Sequence, residues 1–174
     1  SSMNGSSKIY LIGFMGSGKS HWGKIWAEHY GRRLIDLDDE IVRSYGIPID
    51  SIFEKFGEET FRRSEAEQLR KTENEKNALV ACGGGVPCFG DNMDWMLNNG
   101  IVIYLKATPG YLLRRVLNET HKRPLLKKLS SSEMLSFIEK KLAEREPVYS
   151  RAHVTLDVEA LTSHSLDGMI KGAN

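Results

Sequence analysis

Eight residues constrain this chain more than any others: Gly13-Phe14-Met15-Gly16-Ser17-Gly18-Lys19-Ser20 fit the pattern GxxxxGK[ST]. The pattern has few fixed letters, so its surroundings decide what it means. An apolar run, Ile9 to Ile12, ends just before it. A helical run over Ser17 to Tyr30 follows, with Trp22, Ile25, Trp26 and Tyr30 on one face and Gly31 to stop it. Strand, glycine-rich loop and helix form the setting in which such a loop cradles phosphate. The glycines let the backbone wrap an anion with its N–H groups turned inward, and the helix N-terminus adds partial positive charge. Lys19 is then placed for the β- and γ-phosphates of a nucleotide, and Ser20 for a Mg²⁺ ion. The bland alternative is an ordinary turn between strand and helix.

The rest of the chain repeats the same alternation. Arg33–Asp36, Ala78–Cys82, Ile101–Leu105 and Val154–Leu156 read as further strands. Between them, helices are expected over 39–45 with Asp38 as cap, 49–56 and 58–75 separated by Gly57, 92–97, 109–117 and 132–144, with a last helix after the fifth strand. Strands alternating with helices predict an α/β fold of three layers, a five-stranded parallel sheet with helices on both faces. With 174 residues, one domain over 8–174 is expected. Ser1 to Ser7 read as a frayed end or a remnant of expression, and no secretory signal pattern precedes the first strand. Residues 118–130 are polar, basic and broken by Pro124, and read as a mobile lid.

Charge excludes some partners. Lys and Arg total 24 against 23 Asp and Glu, so no net field argues for nucleic acid or a membrane surface. No apolar run reaches the ~20 residues of a membrane span. Cys82 and Cys88 lack metal-ligand spacing and read as reduced thiols of a cytoplasmic protein. The guanine-specificity motif NKxD and the switch motif DxxG of GTPases are both missing.

Five further features carry chemistry. Asp36 and Asp38 close the second strand, where ligands of an open α/β sheet collect. They can hold Mg²⁺ and orient or deprotonate an acceptor hydroxyl, or simply cap the next helix. Arg62 and Glu65 share a helix face, as site residues or as a surface ion pair. Gly83-Gly84-Gly85 directly after a strand suggests close backbone approach to a ligand, or a turn. Arg123 lies in the lid, where a closing loop excludes water from phosphoryl transfer. Arg145, at a helix end, is a fork for a carboxylate or a partner of the helix dipole.

Taken in order, GFMGSGKS, IDLDDEI, FRRSEAE, CGGG, KRPLL and REPVY resemble the shikimate kinase family, over about Lys8 to Asp157. The resemblance implies a P-loop kinase fold and ATP-dependent phosphorylation of the 3-hydroxyl of shikimate, in the chorismate route to the aromatic amino acids. It implies a catalytic set of Lys19, Asp38 and Arg123. The nucleotide would be held by Gly13, Gly16, Ser17, Gly18, Lys19, Ser20, His21, Arg115 and Arg123, with Mg²⁺ at Ser20 and Asp36. Shikimate would be held by Asp38, Arg62, Gly83, Gly84, Gly85 and Arg145, with Glu65 orienting Arg62 and the helical region 37–65 forming the acceptor lobe. A monomer is expected. The chain departs from the family at His21, where Thr is frequent, at Cys82, and in a C-terminal segment without the family's proline. A gluconate-type kinase and a non-catalytic nucleotide-binding regulator are the alternatives.

Overall fold

The computed structural model describes residues 7–118 and 129–170. Five strands, β1 (Ile9–Ile12), β2 (Arg33–Asp36), β3 (Ala78–Ala81), β4 (Ile101–Lys106) and β5 (Val154–Asp157), form one sheet in the order β2-β3-β1-β4-β5. Every pairing is parallel. Six helices join them: α1 (Lys19–His29), α2 (Leu37–Tyr45), α3 (Ile49–Arg70), α4 (Asn92–Asn99), α5 (Pro109–Asn118) and α6 (Ser131–Tyr149).

The sheet is covered on both faces, which is why its inner strands β1, β3 and β4 read as unbroken apolar runs. All four residues of β1 are fully buried. Ile9 and Leu11 face a core shared with Trp26, Leu112, Val116 and Ile138, so α1, α5 and α6 cover that side. Tyr10 and Ile12 face the opposite core, shared with Leu69, Met93, Met96 and Tyr149. A small third cluster of Ile41, Ile52 and Phe61 holds α2 against α3.

Register sets the site. Leu11 and Asp36 both lie opposite Ala81, so β1, β2 and β3 end level. The P-loop, the Asp36–Asp38 pair and the glycine run therefore leave the sheet side by side, beyond its carboxyl edge.

Several boundaries differ from expectation. The cap of α2 is Asp36, whose Oδ1 accepts from the backbone N–H groups of Asp38 at 3.0 Å and Asp39 at 3.3 Å. Leu37 is buried and opens the helix, so Asp38 already lies inside it. Gly57, at φ +84°, breaks α3 as expected. The helix stops at Arg70 rather than running to Glu75. There the Thr72 hydroxyl donates to the Leu69 carbonyl and pairs with the Tyr10 hydroxyl, turning the chain toward β3.

Helix α6 starts from a capping box between Ser130 and Glu133 and continues through Pro147 to Tyr149. No α-helix follows β5 among the described residues. A short 3-10 turn, Val158–Ala160, and isolated turns stand there instead. Trp26 donates its indole N–H to the Thr162 carbonyl, and the Tyr30 hydroxyl accepts from the Leu166 N–H. Those tertiary bonds engage backbone groups that a helix would have used. Residues 1–6 and most of the expected lid, including Arg123, lie outside the described residues. Among the described residues no helix is long and apolar enough to cross a membrane.

Candidate active site

The phosphate side is built by local torsions. Gly18 takes the N-cap of α1 in a left-handed conformation, φ +97°, and caps it with no side chain. No side chain caps the first turn of α1 and no acidic residue stands in it, which favours an anion at that helix end. Gly13 is needed for a different reason: a Cβ there would stand 2.8 Å from the Leu105 carbonyl oxygen and 2.9 Å from Ser17 Oγ. Ser17 is itself buried, and among the described residues its hydroxyl has no hydrogen-bond partner.

Lys19 donates to the carbonyl oxygens of Gly13, at 2.6 Å, and Phe14, at 3.0 Å, so its ammonium lies along the loop. Ser20 Oγ donates to Asp36 Oδ2 at 2.7 Å. The hydroxyl and carboxylate expected to serve a Mg²⁺ ion therefore meet directly, and both are hard oxygen donors of the kind that ion takes. Gly16, Gly18, Lys19, Ser20, His21 and Arg115 line one side of a cleft, with Arg115 Cβ close against Gly16. Tyr111 stacks loosely on that guanidinium, at 6.0 Å.

Asp36, Asp38, Gly83 and Gly84 line the other side of the same cleft. None of the three consecutive glycines has a positive φ, so conformation is not what they supply. They supply room. A Cβ on Gly83 would fall 3.0 Å from both Asp38 Oδ1 and Glu65 Oε2. One on Gly84 would fall 3.2 Å from Arg145 Nη1, and one on Gly85 would run into the Arg62 guanidinium. The expected close approach is thus made by protein side chains, and the run gathers two arginines and two carboxylates on one short stretch of backbone.

Each of these side chains is held. Arg62 Nη1 donates to Glu65 Oε1 at 2.8 Å, and the guanidinium lies over Phe89 at 4.1 Å. Glu65 is 2% exposed. Burial pushes its carboxyl up to about 7, against the pull of Arg62. Arg145 stands 5.6 Å over the Phe14 ring. The fully buried Tyr149 donates its hydroxyl to the Gly84 carbonyl at 2.6 Å. Arg62, Gly85 and Arg145 lie outside the cleft wall itself, packed on the glycine run.

Sequence reasoning missed Phe89 and the role of Tyr149. Phe89 follows the glycine run closely, and an aromatic there is the only signal it offers. Tyr149 sits in the REPVY stretch, but its reach to Gly84 depends on α6 continuing past Pro147. Cys82 is buried beside Met96, and burial raises its thiol, so it is packing rather than chemistry.

Similarity to known proteins runs over most of the chain. The family model for shikimate kinase matches residues 15–171. A shikimate kinase of Parabacteroides distasonis is 38% identical over 158 residues, covering 91% of each chain. Another from Chlorobium limicola is 41% identical over 162 residues, 90% of this chain and 81% of that one. Among solved structures, a Bacteroides thetaiotaomicron shikimate kinase superposes with a TM-score of 0.86 at 33% identity, covering 89% of this chain and 88% of that one. A shikimate kinase of Acinetobacter baumannii in complex with shikimate gives 0.81 at 34% identity, covering 94% and 89%. A Sinorhizobium meliloti gluconokinase, at 19% identity and a TM-score of 0.55, shares the fold alone.

Proposed function

The chain belongs to the shikimate kinase family, and on that premise we propose that its cleft transfers the γ-phosphoryl group of ATP to the 3-hydroxyl of shikimate, giving shikimate 3-phosphate and ADP. The observation that carries this reading is the Gly83–Gly85 run, which gathers Asp38, Glu65, Arg62 and Arg145 opposite the P-loop. Shikimate offers one carboxylate and three hydroxyls. Two guanidinium groups suit the carboxylate, and Asp38 with the exposed glycine backbone suits the hydroxyls.

Each half has its own task. The P-loop backbone and the N-terminus of α1 bind the β- and γ-phosphates, and Lys19 exchanges its two carbonyl partners for phosphate oxygens. Ser20 and Asp36 would hold Mg²⁺, which neutralises charge on the phosphates when bound. Arg115 packs on the base side of the loop, and His21 borders the same rim. Arg123, in the basic Pro-broken segment 118–130, would reach over the phosphates. Asp38 receives the acceptor hydroxyl and orients it, a modest role, since loose phosphoryl-transfer transition states demand little base catalysis. Positioning and charge stabilisation supply most of the acceleration. We further propose a cytoplasmic monomer, for which the two free thiols fit a reducing compartment.

An ADP-release assay with shikimate and, separately, gluconate as acceptor tests the reading. Turnover with shikimate alone supports it. Turnover with gluconate alone, or nucleotide binding without transfer to either, overturns it.

A further inference from the structure

Away from the cleft, the end of α1 meets the C-terminal segment at a cluster that the kinase reaction does not use. His29, His164 and Asp167 each present a donor atom, and all three atoms lie within 4.8 Å of one another on the exposed surface. His164 Nδ1 and Asp167 Oδ2 stand 3.1 Å apart, and the His29 and His164 ring centroids 4.5 Å. Ligands about 2.0–2.1 Å from one tetrahedral ion lie about 3.3 Å from each other, so the first pair is already at ligand spacing. The other two pairs lie within 4.8 Å.

The carboxylate is also oriented from behind. The largely buried Tyr30 donates its hydroxyl to Asp167 Oδ1 at 2.6 Å, on the oxygen turned away from His164. The same hydroxyl accepts from the Leu166 N–H at 3.0 Å, which fixes it. A carboxylate held by an outer hydrogen bond, next to imidazole donors, is how metal ligands are commonly pre-oriented.

We propose that His29, His164 and Asp167 form a surface site for one borderline divalent ion of the Zn²⁺ class, with water completing its shell. Imidazole and carboxylate donors in this number suit Zn²⁺, Ni²⁺ or Cu²⁺ and disfavour the all-oxygen ions Mg²⁺ and Ca²⁺. Two of the ligands follow β5 and the third ends α1, so a bound ion clips the C-terminal segment to the helix behind the P-loop. It does so beside an existing tie, the Trp26 indole N–H on the Thr162 carbonyl.

Isothermal titration of the untagged chain with Zn²⁺, in excess Mg²⁺ so that Ser20 and Asp36 do not compete, tests this. One saturable ion per chain is expected in the parent. His29→Gln, His164→Gln and Asp167→Asn should each weaken it by tenfold or more. Zn²⁺ should raise the thermal midpoint of the parent and leave those of the variants unchanged. Tyr30→Phe should bind about tenfold more weakly, as loss of an outer-shell partner does. No saturable binding by the parent, or equal affinity in parent and ligand variants, overturns the site.

Discussion

Gly85→Ala separates what the glycine run does for the fold from what it does for the acceptor. Gly85 sits at φ −87° and ψ −13°, a region open to every residue, so alanine brings no backbone strain. A less flexible unfolded chain even favours alanine, by roughly 0.4–1 kcal/mol. The cost falls on Arg62. An added Cβ would stand 2.8 Å from its Cζ and 2.9 Å from its Nη2. A guanidinium is the far end of a flexible side chain, so it can swing aside with little harm to the core. In doing so it leaves Glu65 and the face of Phe89, and with them the position from which it would reach the acceptor carboxylate. A hydrogen bond to a charged group contributes ~1.5–3 kcal/mol, which is roughly a ten- to hundredfold change in affinity. The coupled ADP-release assay should therefore show KM for shikimate raised by that factor, with KM for ATP within about twofold. Urea unfolding should show a loss of no more than ~1.5–3 kcal/mol, that of the Arg62–Glu65 bond. Unchanged KM for shikimate, or an equal rise for both substrates, would refute the account of the glycine run as clearance for Arg62.

Other perturbations follow from the same contacts. Glu65 titrates at about 7 in the folded chain against 4.5 ordinarily, so between those values the folded state holds a proton that the unfolded state releases. Stability should fall by on the order of 3 kcal/mol as pH rises through that window; denaturant unfolding at pH 5 and pH 8 should show the loss in the parent and not in Glu65→Gln, and parallel losses would disprove it. Tyr149→Phe removes the hydroxyl on the buried Gly84 carbonyl and should cost ~1–3 kcal/mol of unfolding free energy, with KM for shikimate rising more than KM for ATP; a neutral outcome in both measurements would contradict the bracing role. Lys19→Ala should lower kcat by on the order of 10²–10³ while the far-ultraviolet circular dichroism stays that of the parent, and retained turnover would remove Lys19 from the reaction.

The two halves of the cleft were legible to different degrees for a physical reason. The phosphate half rests on torsions and spacings within a single strand–loop–helix unit. Gly18 at the helix cap, Lys19 one residue on and the buried run of β1 are all local facts, and local patterns record them. The inner strands are legible for the same reason, since a sheet covered on both faces leaves them as unbroken apolar runs. Which aspartate caps α2 was not local in that sense. Asp36, Asp38 and Asp39 are all able to cap, and the choice fell to Asp36 because Leu37 is drawn into the core. The acceptor half is more extreme. Gly83, Gly84 and Gly85 are there for what they lack, a Cβ, and the groups that use the space come from α2, α3 and α6. A run of glycines reports that something must approach, never what. The pairing of Arg62 with Phe89 and of Tyr149 with Gly84 is set by how helices far apart in sequence meet the edge of one sheet. On the proposed assignment, specificity for the acceptor rests on clearances between distant residues, and a resemblance over about Lys8 to Asp157 carried information about it that no single segment contained.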